Sequence, residues 1–370
     1  MTPAAAHPGV LRRVVVNGKF LSADSTGVHR VAEELLLGMH AVLAREPMLA
    51  QRLQLELWVP RDGEARAKRL GVPYRVLKPL VGIPWEQLTL PWHARGRLLL
   101  SLCNVGPMAA RDAVTMFHDA QVHSSPSSYG RGFRAWYHLH QPIAGRRHRH
   151  ILTVSGFSRG QLAHYGLVEP ERVSVIHNGI DHMQRLRADD RLLATLGLTS
   201  GRYVVGLANT QAHKNVPLLL QAFDDQRLSG LKLVLFGSAD AAAFERLGRR
   251  VGPQVVFAGR ISDEQLKGLY QHALCMAFPS RTEGFGLPPL EAMMVGCPAV
   301  VAPCGALPEV CASAAEYASP DDVSAWVAAI ARLAEDPAWR ARRVQDGSQH
   351  ASQMTWYASA SRLVDVLLRV

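Results

Sequence analysis

The sequence has few of the features that mark membrane-spanning or secreted proteins. Its longest apolar runs are far shorter than the ~18 residues that cross a bilayer. The five cysteines are an odd number and form no C-x-x-C pair, which favours reduced thiols over a disulfide framework. The first residues do not combine a charged start with an apolar block, so they do not predict a signal peptide. We therefore expect a cytoplasmic protein.

Acidic residues are outnumbered by basic ones. The chain has 31 Asp and Glu against 41 Lys and Arg, a formal net charge of +10. This balance attracts nucleic acid, anionic lipid or phosphorylated ligands, and only the placement of the charges separates these classes. With 370 residues, of which 48% are hydrophobic and 19% charged, the sequence predicts a soluble globular protein of two domains.

Short apolar strand patterns alternate with helical patterns along the chain. Strands are predicted at 11–16, 53–59, 98–103, 114–117, 151–154 and 173–176 and, after a polar stretch, at 203–208, 232–236, 255–258, 273–278 and 299–302. Strands that alternate with helices predict parallel sheets covered on both faces. We therefore predict two doubly wound α/β domains, 1–186 and 187–350, and an amphipathic terminal helix within 351–370.

The stretch P-S-R-T-E-G-F-G-L-P-P-L-E-A-M-M-V-G-C-P, residues 279–298, has the most specific pattern. It predicts the end of a buried strand, a glycine-rich turn, and a helix with Pro288 and Pro289 in its first turn. Glu283 is then just before the helix and Glu291 about two turns into it. Two carboxylates beside a helix N-terminus suit a nucleotide sugar, which has hydroxyls on both sides of a diphosphate. An ordinary strand–helix crossover with exposed glutamates is the structural alternative.

The turn itself predicts a phosphate site made of backbone. The residues whose N–H groups are expected to be unpaired and to bind the anion are Gly284, Phe285, Gly286 and Leu287. The sequence contains no D-x-D triplet, which fits a transferase that uses a helix dipole and a lysine in place of a divalent metal ion.

Residues 279–298 resemble the signature of the family-four retaining glycosyltransferases, in which two glutamates stand eight apart in an E-G-F-G-L-P-x-L-E-A-M context. The resemblance implies the GT-B fold, with two Rossmann-like domains facing a cleft and the last helix crossing back to the N-terminal domain. It implies transfer of a hexose from a nucleoside diphosphate sugar with retained anomeric configuration. Glu283 would hold sugar hydroxyls and Glu291 the ribose hydroxyls.

A second loop, A-N-T-Q-A-H-K-N-V-P at 208–217, resembles the family loop in which an arginine and a lysine clamp the diphosphate. Lys214 matches the lysine, but Asn209 and Thr210 stand where the arginine is expected. Lys214 is therefore predicted to be the cationic clamp, with His213 as a helper and Asn209 at the donor. A solvated lysine at a helix start is the alternative.

Further donor contacts are expected where strands end. The predicted positions are Gly237, Arg260 and Ile261 on the nucleotide side, and Gly27 in the first loop of the N-terminal domain. A helix N-cap at Ser25 or Thr26 is the alternative interpretation of that first loop.

An F-H-D sequence follows the strand predicted at 114–117. Carboxyl strand ends are where ligands of open α/β sheets bind, and the family pattern also has a histidine here. His118 is predicted to donate to a hydroxyl of the transferred sugar, with Asp119 holding the ring tautomer.

Residues 129–150 interleave arginines, aromatic residues and histidines without any acid. The pattern favours a basic, aromatic helix on the inner face of the membrane. A metal site, a nucleic-acid surface and a plainly solvated helix are the alternatives, although the histidine spacing fits no standard metal site and no nucleic-acid fold signature accompanies the segment.

Together these observations predict a glycosyltransferase with no cofactor, acting on a nucleotide-sugar donor and a saccharide or lipid-linked acceptor in surface polysaccharide synthesis. GDP-mannose is the favoured donor, with UDP-glucose or a deoxyhexose donor open. The alternatives are a nucleotide-sugar epimerase of the same architecture and a non-catalytic nucleotide-sugar-binding scaffold. No nucleic-acid partner is expected.

Overall fold

The computed structural model describes residues 11–23 and 26–370. The chain forms two compact units. Unit 1 comprises the described parts of Met1–His123, together with Arg131–Gly179 and Trp356–Val370, and unit 2 comprises Ser124–Gly130 and Ile180–Thr355. The units therefore divide at residues 179/180 and 355/356, a few residues from the predicted boundaries of 186/187 and 350/351, and one short loop of the N-terminal half belongs to unit 2.

Unit 1 is built on a parallel sheet. Among the described residues its strand order is β3-β2-β1-β4-β5-β6-β7. The strands are β1 (Arg12–Asn17), β2 (Leu53–Val59), β3 (Tyr74–Val76), β4 (Leu98–Ser101), β5 (Ala113–Met116), β6 (His150–Thr153) and β7 (Val173–Val175). The strand order reverses on either side of β1, which is where doubly wound sheets bind ligands.

Helices cover both faces of this sheet. They are α1 (Gly27–Arg45), α2 (Pro47–Ala50), α3 (Glu64–Leu70), α4 (Gly82–Pro84), α5 (Leu90–His93), α6 (Gln121–Ser124), α7 (Arg131–Arg147), α8 (Gly156–His164) and, after unit 2, the terminal helix (Trp356–Arg369). A π-helical turn, Trp85–Thr89, joins α4 to α5. Strand β3 was not predicted because its three residues, Y-R-V, are too short to show a period.

The terminal helix packs along α1. Its predicted apolar face is confirmed, since Trp356, Ala360, Leu363 and Leu367 are all buried. On α1, Gly38 makes the close approach possible, because a Cβ there would lie 2.8 Å from the Ala360 Cβ.

Unit 2 repeats the architecture. Its strand order in the described residues is β10-β9-β8-β11-β12-β13, all parallel. The strands are β8 (Tyr203–Ala208), β9 (Lys232–Gly237), β10 (Val255–Gly259), β11 (Cys275–Phe278), β12 (Ala299–Val301) and β13 (Glu316–Tyr317). The prediction of two doubly wound parallel sheets is confirmed.

The helices of unit 2 are α9 (His182–Arg185), α10 (Arg191–Thr195), α11 (Val216–Ala222), α12 (Ala241–Glu245), α13 (Asp263–His272), α14 (Leu287–Met294), α15 (Leu307–Cys311), α16 (Val323–Glu335) and α17 (Pro337–Ala351). The terminal helix of unit 1 is thus α18. Ser262 begins α13 with the expected capping box, in which its hydroxyl accepts from the Gln265 N–H and the Gln265 side chain accepts from the Ser262 N–H.

Among the described residues, no helix is both long and apolar enough to cross a bilayer. All five cysteines are described, and none of them is in a disulfide.

Candidate functional site

The turn between β11 and α14 is fixed by its backbone. Gly286 adopts a φ of 109°, which favours glycine, and α14 begins at the next residue with prolines in its first turn. The Glu283 carbonyl accepts from the Ala306 N–H at 3.0 Å. Gly305 passes so close that a Cβ would lie 2.5 Å from the Glu283 nitrogen. The neighbouring backbone at Gly305 and Ala306 therefore fixes the position of Glu283 before α14, and a larger residue at 305 would clash with it.

Lys214 approaches the same point from the neighbouring strand. It ends a 3₁₀ turn, Ala212–Lys214, after β8, and Asn215 then adopts a φ of 55°. The Asn215 side-chain amide donates to the carbonyls of Pro279, at 3.3 Å, and Pro320, at 2.9 Å. Because β8 and β11 are adjacent, these bonds tie the two loops together where the strand order reverses.

The two loops bring Lys214 and Glu283 into contact. The Lys214 Nζ lies 2.8 Å from the Glu283 Oε1, and the two side chains are only 15% and 10% exposed. The sequence suggested separate contacts for these residues, one to phosphate and one to sugar. In the structure they form a single, largely buried ion pair.

Glu291 also has a partner. Its Oε1 lies 3.2 Å from the Nε2 of His182 at the start of α9, and both residues are buried. His182 was not predicted, because it stands in a polar stretch near the domain boundary. The local signal for it is its position directly after the N-G-I-D sequence at 178–181.

The other predicted donor residues of unit 2 lie at or near strand ends. Gly237 ends β9 with a φ of 140°, and a Cβ there would lie 2.5 Å from the Ala208 oxygen. Arg260 is exposed and Ile261 half-buried after β10. The Asn209 Oδ1 accepts from the Gln211 N–H at 2.8 Å, so this side chain shapes its own loop.

The residues of the predicted phosphate turn have different surroundings. Gly284 and Phe285 each have a noncovalent partner in this structure, and Phe285 is buried. Gly286 is the N-cap of α14 and Leu287 its first residue, which favours the amides of these two residues as anion donors. Phosphate binding by the four amides stays a prediction.

His213, the predicted helper of Lys214, has a neutral ring. Burial, together with the Lys214 charge, lowers the pKa of its ring to about 4, so the ring is neutral at pH 7. Its Nδ1 lies 3.1 Å from the Ser128 Oγ, whereas its Nε2 is buried without a partner. The neighbouring loop, Ser124–Gly130, packs here as part of unit 2.

His118 lies in unit 1, two residues after the end of β5, and its hydrogen bonds favour a role different from the predicted one. Its Nε2 lies 2.8 Å from the Leu102 carbonyl oxygen, which can only accept. Burial lowers the ring's pKa to about 4. The neutral ring therefore keeps its proton on Nε2, and Nδ1 is an acceptor that cannot donate to a sugar hydroxyl.

Asp119 does not hold that tautomer, because the Leu102 carbonyl does. The Asp119 Oδ1 accepts instead from the Gln121 N–H at 2.9 Å. The His118 N–H donates to the Asn104 side chain at 2.7 Å, which fixes the backbone of the F-H-D turn.

Gly27 is the first residue of α1, and Thr26 precedes it as N-cap. The Thr26 N–H donates to the His29 Nδ1 at 3.2 Å, so the structural alternative of a helix cap is present at this loop. Ser25, the other cap considered, lies outside the described residues.

The basic segment forms α7, as the pattern indicated. Arg146 and Arg147 are exposed at its end. Arg149 is engaged, since it pairs with Asp112 and donates to the Val370 carbonyl at 3.0 Å. Within residues 11–23 and 26–370, no group of three or more His, Cys, Asp or Glu side chains is placed to hold a metal ion.

Comparison with known proteins identifies the family of the chain. The glycosyltransferase family 4 model matches residues 48–184, and the model of glycosyl transferases group 1 matches residues 196–350. O-antigen chain mannosyltransferase B of Escherichia coli is 31% identical over 265 residues, which cover 68% of each chain. O-antigen chain mannosyltransferase RfbU of Salmonella typhimurium is 25% identical over 62% of this chain and 63% of its own.

Solved structures share the fold of the whole chain. HepE of Anabaena superposes with a TM-score of 0.70 at 18% identity, covering 97% of this chain and all of its own. WaaG, a glycosyltransferase involved in lipopolysaccharide biosynthesis, gives a TM-score of 0.67 at 14% identity over 96% of this chain and 99% of its own. These likenesses confirm the predicted GT-B fold. The sequence matches, together with the glutamate pair at 283 and 291, show that this chain belongs to the family-four glycosyltransferases.

Proposed function

We propose that this glycosyltransferase moves a hexose from a nucleoside diphosphate sugar to a saccharide or lipid-linked saccharide acceptor in surface polysaccharide synthesis. The observation that carries the proposal is the Lys214–Glu283 ion pair beside the start of α14. It joins a cation for phosphate and a carboxylate for hydroxyls at the switch point of unit 2. The named relatives are mannosyltransferases, which favours GDP-mannose as donor.

The geometry of unit 2 supports the donor roles in this proposal. Lys214 binds the diphosphate, and the amides of Gly286 and Leu287 add the positive end of α14. As the bond to the sugar breaks, negative charge grows on the leaving diphosphate, and these groups stabilise it. Glu283 accepts from sugar hydroxyls, and Glu291, oriented by His182, accepts from the ribose.

In this proposal His118 of unit 1 is a hydrogen-bond acceptor. Its Nδ1 lone pair receives a hydrogen bond from a sugar hydroxyl, the reverse of the direction predicted from the sequence. The acceptor hydroxyl attacks from the side on which the diphosphate leaves, so the anomeric configuration is retained. Turnover in excess EDTA equal to turnover with added magnesium supports the metal-free route, and rescue by the metal contradicts it.

Donor identity is tested with nucleotides. Structures of HepE were solved in complex with UDP and with UDP-glucose. UDP is therefore the main alternative to GDP as the nucleotide of the donor. In thermal shift, the preferred nucleoside diphosphate among GDP, UDP, dTDP and ADP raises the melting temperature most. Stabilisation by UDP alone contradicts the GDP-mannose assignment.

Acceptor dependence tests the transfer itself. Nucleoside diphosphate release that requires a saccharide acceptor is expected of a transferase. Release without an acceptor, or none under any condition, would favour an epimerase or a binding scaffold, neither of which the named relatives support.

Peripheral membrane binding through α7 is part of the proposal. Arg146 and Arg147 are exposed and lack nearby acids in sequence, so each adds about 1 kcal/mol of attraction to anionic lipid at low salt. Flotation with anionic vesicles should weaken when both are changed to Ser. Arg249→Ser/Arg250→Ser removes the same charge from exposed positions of unit 2 and is the matched control. Equal loss in both double variants shows that net charge alone matters.

A further inference from the structure

The chain between β3 and β4 of unit 1 has two apolar sides. Trp85, Leu90 and Ala94 point inward and are 0 to 3% exposed in a cluster with Val15 of β1. The residues that point outward, which we call the apolar face, are Leu80 (37% exposed), Val81 (47%), Ile83 (45%), Leu88 (65%) and Trp92 (64%). A helical segment that is apolar on both sides is normally buried on both, so its outer side lacks the partner that its composition predicts.

Within residues 78–97, no exposed acid opposes an anionic partner, and Asp112, which lines the cavity described below, is paired with Arg149. Glu86 is the only acid between residues 78 and 97. It is 1% exposed, accepts from the Asn17 side chain at 2.8 Å and is paired with Lys19 at 2.7 Å. The same stretch contains Lys78, Arg95 and Arg97, and the first two are exposed.

An arginine and a tryptophan at the end of the face are arranged as an interfacial pair. The Arg95 guanidinium carbon lies 3.9 Å from the centre of the Trp92 ring. Beside them is a cavity of about 710 Å³, lined by Leu88, Trp92, Arg95 and, from the loop before β5, Arg111. A lining that combines apolar side chains with guanidinium groups suits an amphiphile that has an anionic headgroup.

This cavity is separate from the residues assigned to glycosyl transfer. Its lining includes Arg97 and Asp112, which directly precede β4 and β5. It therefore lies at the amino ends of these strands. His118 follows the carboxyl end of β5, at the opposite edge of the same sheet.

The apolar face and α7 cover the same side of the sheet. Ala113 and Thr115 are two residues apart on β5 and so point to one face. Ala113 packs in the cluster beneath the apolar face. The Thr115 hydroxyl lies 2.9 Å from the Nδ1 of His148, which directly follows α7. The cations of α7 and the exposed apolar residues thus belong to one outer layer of unit 1.

We propose that the apolar face is the membrane anchor of this enzyme and binds a bilayer containing anionic phospholipid. Leu88 and Trp92 enter the interface, and Arg95 and Arg111 bind lipid phosphate at the cavity. The proposal deepens the membrane part of the proposed function and rests on it. It does not depend on the identity of the donor sugar.

Vesicle flotation of the full chain tests the anchor, using phosphatidylcholine vesicles with and without phosphatidylglycerol. Leu88→Ser/Trp92→Ser should lower the fraction bound to anionic vesicles at least ~10-fold, at low and high salt alike, because apolar insertion is not screened. Met48→Ser and Leu247→Ser are matched controls, since these residues are 70% and 57% exposed elsewhere, and both should bind like the wild type.

A lipid-specific signal separates insertion from surface attraction. Brominated phospholipid should quench the fluorescence of the wild type, and Trp92→Phe should remove most of that quenching. Wild-type flotation that the double variant retains, or wild-type protein that never floats, overturns the proposal. So does a concentration-dependent dimer that the double variant abolishes, because the face would then bind a second copy.

Turnover separates the two proposals. Leu88→Ser/Trp92→Ser should keep wild-type turnover on a soluble saccharide acceptor. Loss of flotation with normal turnover supports the anchor. Normal flotation in a protein that releases no nucleoside diphosphate with any donor leaves the anchor supported and the proposed transfer wrong.

Discussion

The Lys214–Glu283 pair allows a test in which the two residues respond in opposite directions. If Lys214 binds the diphosphate and Glu283 the sugar, the ion pair competes with phosphate in the free enzyme. Glu283→Gln removes that competition but keeps a hydrogen-bond acceptor for Lys214. Affinity for a nucleoside diphosphate without sugar should therefore be unchanged or tighter, whereas turnover should fall at least ~100-fold, about 2.7 kcal/mol of barrier.

Lys214→Ala should do the reverse to affinity. Loss of a charge-assisted contact to phosphate costs about 1.5–3 kcal/mol, so nucleoside diphosphate should bind about 10- to 100-fold more weakly. The variant also leaves the Glu283 carboxylate unpaired at 10% exposure. Removing one partner of a buried pair costs about 3–5 kcal/mol of stability, more than the glutamine exchange should cost.

Calorimetry with nucleoside diphosphate, steady-state turnover and denaturant unfolding measure the three effects. Asp321→Asn is the matched control, because its ion pair with Arg281 at 2.6 Å is in the same unit but is 71% exposed on the aspartate side. That change should alter stability by no more than about 1 kcal/mol. If Glu283→Gln and Lys214→Ala weaken nucleotide binding equally, Glu283 acts only by positioning Lys214, and the assigned roles are wrong.

Three further outcomes are expected. Glu291→Ala should raise the donor dissociation constant more than it lowers turnover, since ribose contacts are the same in ground and transition states; unchanged calorimetric affinity contradicts this. Gly305→Ala should destabilise the protein and slow turnover more than Gly248→Ala. Both glycines have a φ near 60–70°, but only a Cβ at 305 would clash with the backbone of Glu283, so equal effects would rule out the clash. Burial lowers the pKa of His148 to about 4, so as the pH falls the unfolded chain binds the proton before the folded chain does. The free energy of unfolding, measured with denaturant, should therefore fall from pH 6.5 towards pH 4 by up to ~1.4 kcal/mol per pH unit, and less steeply in His148→Gln. The same pH dependence in the variant contradicts this.

Much of the fold was predictable because its strands are buried on both faces. Continuous apolar runs such as Y-V-V-G-L-A mark β8 without ambiguity, and the observed bounds agree with the prediction. Strands β3 and β13 escaped prediction, since three and two residues at sheet edges have no periodic signal. The loop Ser124–Gly130 could not be assigned to unit 2 from sequence, because packing against residues such as His213 and Gln211 places it there.

The site was predictable where chemistry follows chain position and not where it depends on contacts across the fold. The spacing of Glu283 and Glu291 is local, so the sequence shows it directly. The partners of these carboxylates, Lys214 and His182, come from 69 residues and more than 100 residues away, and no local pattern pairs them. Burial of His213 is likewise a property of packing, and it lowers the pKa of the ring so that this predicted helper of Lys214 is neutral at pH 7.

His118 shows how far residue type can mislead without its partners. A histidine followed by an aspartate suggests a ring oriented by a carboxylate, and a ring held in that way can still donate to a sugar hydroxyl only as an imidazolium. Here the orienting group is a backbone carbonyl on Nε2, and the neutral ring offers a lone pair at Nδ1. A sugar hydroxyl that donates to this nitrogen becomes richer in electron density. When the bond between sugar and diphosphate breaks, the sugar becomes electron-poor. A hydrogen-bond acceptor at this hydroxyl stabilises the electron-poor sugar, whereas a hydrogen-bond donor would not.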